Sequence, residues 1–377
     1  ENAIISYYGG LEYDYKEKYL LTASYRKDGN SQLGANDKWE DAVGGSLGWV
    51  VSKDLFPNSK YVNNLKLRAS YGELNSTNLT TQYNAQSTFG TVAYSSSNPQ
   101  STIYTLNTVG NIDLKFEQVK KFDFGFETAL FNRRVTLASS YFVDKRQKFL
   151  YNDSTSDGPD WSTLINAGDW TSKGIELELR GTVLKTDNYN LALYVNAAQF
   201  DRKINELARP GKPDDQILRG ITINKVGYQP DEYYVTEYVG IDPTNGHALY
   251  RKLDGTITDV YSDDDRVSTG KTPYAKYEGG FGLEFKAYGF DLAADFNFKQ
   301  GNYVYNYMWL NMVNDGIDAD SNQAIDAFDY WSVSNPNAEN PSPFQISGID
   351  SNQTSSRFLQ DASYIRFRSL NIGYTFS

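Results

Sequence analysis

The chain has no cysteine, which excludes a disulfide framework and any thiolate metal site. Its single histidine, His247, leaves a histidine-centred catalytic or zinc site without a second ring or thiol to complete it. Long apolar runs are missing as well, and none approaches the ~18 residues of a transmembrane helix. Positive charge is in deficit, 36 Lys and Arg against 47 Asp and Glu. The formal charge of -11 argues against nucleic acid and against a purely electrostatic hold on anionic lipid. Glu1 opens directly onto Ile4-Ile5-Ser6-Tyr7-Tyr8, which already reads as strand, so no secretory leader is expected within these residues. The chain is therefore expected to be a mature exported protein or a fragment of one.

Aromatic residues are what it has in excess: 30 Tyr, 20 Phe and 6 Trp, or 15% of 377 residues. A mean hydropathy of -0.58 looks like that of a soluble protein. A transmembrane β-barrel gives the same average, because alternation hides its apolar face, and barrels use aromatic girdles at both interfaces. Residues 277–299 display the pattern. Phe281, Leu283 and Phe285 alternate with Gly282, Glu284 and Lys286; after Ala287-Tyr288-Gly289, Phe290, Leu292, Ala294, Phe296 and Phe298 alternate with Asp291, Ala293, Asp295 and Asn297. A strand places successive side chains on opposite faces, so each arm has one greasy and one wet face. About ten alternating residues are enough for a tilted strand to cross a bilayer.

The unit recurs along the chain, in about eleven strands. Leu65 and Leu67, Phe124 and Phe126, Leu177 and Leu179, Phe281 and Leu283, and Leu292 and Phe296 are expected to face lipid. Lys66, Arg68, Asp123, Glu127, Glu176, Arg180, Glu284 and Asp295 are expected to face a lumen. In the last strand Ile365 and Phe367 are out of phase with Leu370, Ile372, Tyr374 and Phe376, which predicts a β-bulge near Ser369. Shorter connections fall at 16–18, 52–64, 132–133, 185–188 and 287–289, and long ones at about 28–39, 75–113, 150–169, 202–273 and 300–362. Regular alternation of short turns and long loops is how outer-membrane barrels are built. The fold class is thus all-β, an antiparallel transmembrane barrel with its long loops at one end.

The residues point to two constellations. Loop aromatics, Trp161, Trp309 and Trp331 foremost, offer platforms for sugar rings or extended peptides, or else they pack loop against loop. Asp318, Asp320 and Asn322, followed by Asp329, have the spacing of a calcium loop, although Gln323 replaces the turning glycine and a short Asp the bidentate Glu. The other reading is a solvated acidic loop, with no cofactor. No carboxylate pair stands out for glycosidase-type chemistry.

Several stretches in order resemble one family: Tyr19-Leu20-Leu21-Thr22-Ala23-Ser24-Tyr25-Arg26-Lys27-Asp28-Gly29-Asn30-Ser31, Gly45-Ser46-Leu47-Gly48-Trp49, and Leu65-Lys66-Leu67-Arg68-Ala69-Ser70-Tyr71-Gly72. Asn166-Ala167-Gly168 with Lys173-Gly174-Ile175-Glu176-Leu177, Val239-Gly240-Ile241-Asp242-Pro243-Thr244-Asn245-Gly246, the hairpin at 279–297 and the stretch 363–376 continue the likeness. Together they are similar to the C-terminal barrel half of SusC/RagA-type TonB-dependent transporters of Bacteroidetes. One local departure is Phe116, where the family usually carries Trp. The resemblance implies about half of a barrel of about 22 strands, with a plug domain that is not in this sequence. It also implies outer-membrane import of oligosaccharides, glycans or peptides, coupled through the TonB complex by an absent N-terminal region. A SusD-like surface lipoprotein is expected over the mouth, and further strands are expected after Ser377. A passive porin or surface adhesin is the alternative function, and a secreted all-β glycan-active enzyme is the third reading.

Overall fold

The computed structural model describes residues 3–76, 83–93, 102–154, 162–208, 216–317, 320, 322–343 and 351–376. Its main element is an antiparallel sheet of eleven strands. In chain order they are β1 Ile4–Tyr15, β2 Tyr19–Asn30, β3 Trp39–Val50, β4 Val62–Ser76, β5 Glu117–Leu130, β6 Val135–Gln147, β7 Gly168–Lys185, β8 Tyr189–Leu207, β9 Tyr277–Ala287, β10 Phe290–Gln300 and β11 Tyr364–Tyr374. Every strand neighbours its predecessor in this series, and β1 and β11 end the sheet without pairing to one another.

Alternation and register agree along the sheet. Leu67 pairs with Phe126, Ala69 with Phe124, and Leu179 with Leu137, so the apolar side chains share one face. Lys66 pairs with Glu127 and Ser70 with Asp123 on the other. In β11, Phe367 packs on Phe296 at 5.2 Å between ring centroids and Tyr374 on Phe290 at 4.5 Å. Phe290 and Phe296 share the apolar face of β10, so both registers of β11 present their rings to that face. Ser369, between them, donates to Asp295 at 2.7 Å on the polar face.

Aromatic rings collect at the end of the sheet with the short connections. Tyr15, Tyr19 and Trp49 stack in a row at 6.4 Å per step. Tyr61 meets Phe131, Tyr189 meets Phe285 and Tyr288, and Phe290 meets Tyr374. That is the girdle expected where a barrel wall crosses from hydrocarbon to headgroups. A short helix, α1 (Val51–Leu55), ties the girdle to the turn after β1. Its Asp54 accepts hydrogen bonds from the Lys18 ammonium and, at 2.9 Å each, from the Tyr19 hydroxyl and the Trp49 indole N–H. Those donors, Lys18 first, hold the Asp54 carboxyl down at about 2. An unfolded aspartate titrates near 3.9. The folded value is the lower one, so the stabilisation is complete above about 4 and is lost as pH falls toward about 2. In the full-length protein the Trp49 indole N–H resonance should titrate in that window, and a midpoint at or above 3.9 would show that Asp54 is not held this way.

Two sequence expectations change. Residues 28–30 continue β2 instead of opening a loop: Asp28 is buried and accepts from the Ser6 hydroxyl at 2.7 Å and Arg26 at 2.5 Å, so its polarity is satisfied inside the strand pair. Residues 202–273 lack readable periodicity, yet their described parts, 202–208 and 216–273, are rich in strands. β8 continues to Leu207, and Gln216–Arg219, Thr222–Lys225, Glu232–Ile241, Ala248–Arg251, Ile257–Thr258 and Arg266–Ser268 pair into a small sheet. Most of these strands are too short for alternation to register in a sequence window.

The chain forms two compact units, one holding nearly all of the large sheet and one comprising residues 216–277 and 298–365. In the first, Leu33, Leu114 and Phe116 from different connections form a buried cluster. Asn166 joins the β4–β5 connection to the β6–β7 connection, accepting from the Lys115 N–H at 2.9 Å and donating to the Lys115 and Lys148 carbonyls at 3.1 and 2.9 Å. In the second, the two largest insertions share one core: Tyr233 and Val235 from the first pack with Tyr305, Val313, Phe358 and Leu359 from the second.

Candidate functional site

The polar face of the large sheet is a lattice of cross-strand ion pairs. Arg68 reaches Asp123 at 2.8 Å, Lys121 reaches Asp144 at 3.0 Å, and Arg146 reaches Glu117 at 2.7 Å. Arg180 grips Glu284 with both ends of its guanidinium, at 3.0 and 2.5 Å. Such pairs satisfy charge locally and leave a wettable wall without a strong field of either sign. Set against the apolar opposite face, this is a lumen wall.

Toward the long-connection end, the wall opens into a recess of about 700 Å³ built from β4 to β8. Three rings stand in it on the polar register. Phe142 lies between Ser140 and Asp144 in its strand's alternation, and it packs on Phe200 at 5.7 Å. Both rings flank Gly174, where a Cβ would come within 2.9 Å of the Phe142 ring. Trp170 pairs with Arg146, whose guanidinium stands 5.3 Å from the indole, and Arg202 caps Phe200 at 4.5 Å. Sequence reasoning missed this site. Its signal was there, in rings occupying the wet parity of their strands.

The second unit is organised by a buried ion pair. Arg357 binds Asp315 at 2.6 and 3.0 Å, with side chains only 7% and 1% exposed. Ser351 donates to the same carboxylate at 2.7 Å, and Arg357 also donates to Asn340 Oδ1 at 2.8 Å. Trp309 lies in helix α2 (Tyr307–Val313), half-buried against the shared core. Trp331, also half-buried, lies flat on Gly246 and donates its indole N–H to the Pro243 carbonyl at 3.1 Å. The two tryptophans thus brace different parts of the same unit. Trp161 and Asp318 fall outside the described residues. Asp329 holds its own loop, accepting from Asn335 at 2.8 Å and the Glu339 N–H at 3.2 Å. Asp320 and Asn322 are described, and among the described residues no three His, Cys, Asp or Glu side chains are grouped so as to hold a metal ion.

Residues 2–304 match the family described as TonB dependent receptor-like, beta-barrel. TonB-dependent receptor P3 of Formosa agariphila is 26% identical over 99% of this chain and 38% of its own length. TonB-dependent receptor SusC of Bacteroides thetaiotaomicron is 24% identical over 100% of this chain and 38% of its length. A solved structure, the RagAB peptide transporter, superposes with a TM-score of 0.87 at 24% identity, covering 99% of this chain and 41% of that one. The chain thus spans about two fifths of the length of the relatives it matches. With an eleven-stranded wall, a girdle and a polar inner face that all agree with the match, the chain belongs to the TonB-dependent receptor-like β-barrel family, whose barrels sit in the bacterial outer membrane.

Proposed function

We propose that the chain forms part of the barrel wall and the main extracellular loop unit of a TonB-dependent importer of oligosaccharides or peptides. The observation that carries this reading is the ion-paired, recessed inner wall, on a chain whose family is that of TonB-dependent receptors. Energy coupling runs through TonB, by way of a part of the protein outside this chain. A SusD-like lipoprotein covers the mouth, and the exposed apolar side chains of the loop unit support it: Ile325, Phe328 and Val333 are 82%, 75% and 90% exposed. A stable lid needs roughly 800 Å² from each partner, and apolar surface of this kind is what such contacts bury. Trp309 and Trp331 offer cargo the ring surface that loop packing leaves open, with Trp161 as a third contact. The test is uptake of labelled oligosaccharides and peptides by cells with and without the receptor, before and after a protonophore. Receptor-dependent uptake should stop with the protonophore. Uptake that continues unchanged would make the barrel a passive porin.

A further inference from the structure

The apolar face of the large sheet does not stay apolar to its end. Across β4 to β7, Ala69, Phe124, Tyr141 and Ile175 stand in one cross-strand row on the lipid-facing register. Two residues further along each strand, toward the long connections, the row is Tyr71, Phe122, Val143 and Lys173. The next is Glu73, Lys120, Lys145, Thr171 and, on β8, Lys203. Four lysines thus gather on one register of four adjacent strands, in a chain that is short of positive charge. Lys120 lies eleven residues from Phe131, in the girdle at the short-connection end. At ~3.3 Å per residue and a tilt of ~40°, that is roughly 28 Å across the membrane, just past an apolar band ~25 Å tall. We propose that this lysine row docks the phosphate groups of an anionic lipid in the outer leaflet, whose acyl chains lie on the rings below it.

Like charges directly opposite one another weaken a strand pair, and Lys120 and Lys145 are such a pair. Their carboxylate partners are loose and shared. Glu73 stands 3.5 Å from Lys120 while accepting from the Tyr71 hydroxyl at 2.6 Å. Asp169 stands 3.4 Å from Lys145 while accepting from the Lys148 N–H at 3.1 Å. Lys173 reaches Asp201 at 3.4 Å, and Lys203 makes no ion pair among the described residues. On the polar face, by contrast, Arg68, Lys121 and Arg146 hold their carboxylates at 2.8, 3.0 and 2.7 Å. An anion seated between Lys120 and Lys145 relieves the repulsion that the protein itself leaves. Phosphate suits the place, since a Lys ammonium binds it as a point charge with no fixed angle of approach. Lysine stems also lie along apolar surface while the ammonium reaches for headgroups. The net charge of -11 argues against a broad electrostatic hold on anionic lipid. The exposed rings of Phe122 and Phe124, directly below the lysines, therefore share in the binding.

The test is native mass spectrometry of the full-length receptor in mild detergent, with lipid A as the probe, its dephosphorylated form as control and inorganic phosphate as competitor. Lipid A should bind, and the dephosphorylated form should bind about tenfold more weakly or worse. Lys120→Gln with Lys145→Gln and Lys203→Gln should weaken lipid A about tenfold or more. Lys120→Arg with Lys145→Arg and Lys203→Arg keeps the charges and should stay within about threefold of the parent. Lys16→Gln, in the turn after β1 at the other end of the wall, should leave binding unchanged. Heat-modifiable migration checks that each barrel has formed. Lys203→Gln alone breaks no ion pair, so its expected loss of about threefold decides the matter if the triple Gln variant does not assemble. The proposal is overturned if lipid A binds the Gln variants as well as the parent, or if losing its phosphates makes no difference. Displacement by inorganic phosphate also overturns it, in favour of a free-anion site. So does a triple Gln variant that loses a dimer but no lipid, which would place a second copy of the chain on this face.

Discussion

Arg357→Ala should unfold the unit of residues 216–277 and 298–365 while leaving the barrel strands assembled. The guanidinium is almost fully enclosed and makes two bonds to Asp315 and one to Asn340, and its plane stands 5.8 and 5.0 Å from the rings of Tyr238 and Phe358. Removing it strands the Asp315 carboxylate, 1% exposed, with the Ser351 hydroxyl as its remaining side-chain donor among the described residues. Breaking a buried pair from one side typically costs ~3–5 kcal/mol, because the remaining charge has lost water and partner together. Here the consequence is larger than one contact. Asp315 and Asn314 have positive φ, 45° and 36°, a backbone state that ordinary residues hold only when the surroundings enforce it. Arg357→Lys keeps the charge without the fork and should fall between the two. Limited proteolysis of the full-length receptor in detergent reads the result: new cuts within residues 216–277 and 298–365 in Arg357→Ala, with heat-modifiable migration retained. A cleavage pattern identical to the parent's would show that the pair does not hold the unit together.

The barrel wall was legible in the sequence because two-residue periodicity is forced wherever one face meets hydrocarbon and the other water. Leu65 to Tyr71 and Phe122 to Leu130 could hardly be read otherwise, and the register of β4 on β5 follows from them. The β11 phase change was legible for the same reason. The loop unit was not. Its strands run from two to ten residues, and its core takes Tyr233 and Val235 from one insertion and Phe358 and Leu359 from the other, more than 100 positions away. The two insertions bracket β9 and β10 in the sequence, but nothing in their pattern shows that they fold together. The Asp315–Arg357 pair was invisible for a related reason: an isolated Asp and an isolated Arg in polar loops carry no periodic mark. The recess was missed through a different limit. Phe142, Trp170 and Phe200 carry the wet parity of their strands, but only the register of β6, β7 and β8 brings the three together.

The face assignment itself can be put to a paired test in β7. Leu177 is near the middle of the strand, opposite Ser139 on β6 and Ala197 on β8. Glu178, its neighbour in sequence, points the other way, opposite Ala138 and Asn196. Leu177→Arg places a cation against hydrocarbon between two small side chains, neither of which is a carboxylate. A basic residue at mid-bilayer on the lipid face of a barrel costs ~2–4 kcal/mol, falling toward zero at the interfaces as the chain reaches headgroups. Glu178→Arg changes charge by two units on the wetted wall and should stay within about 0.5 kcal/mol, as exposed substitutions usually do. Urea unfolding of the full-length receptor from lipid vesicles measures both. The expected order is a clear loss for Leu177→Arg and little change for Glu178→Arg, although the sites are adjacent and the new residue is the same. Equal losses would mean that both faces of β7 are buried in protein, and the reverse order would turn the wall inside out. Adjacent positions share backbone, strand propensity and depth, so what separates the two outcomes is the solvent each side chain meets.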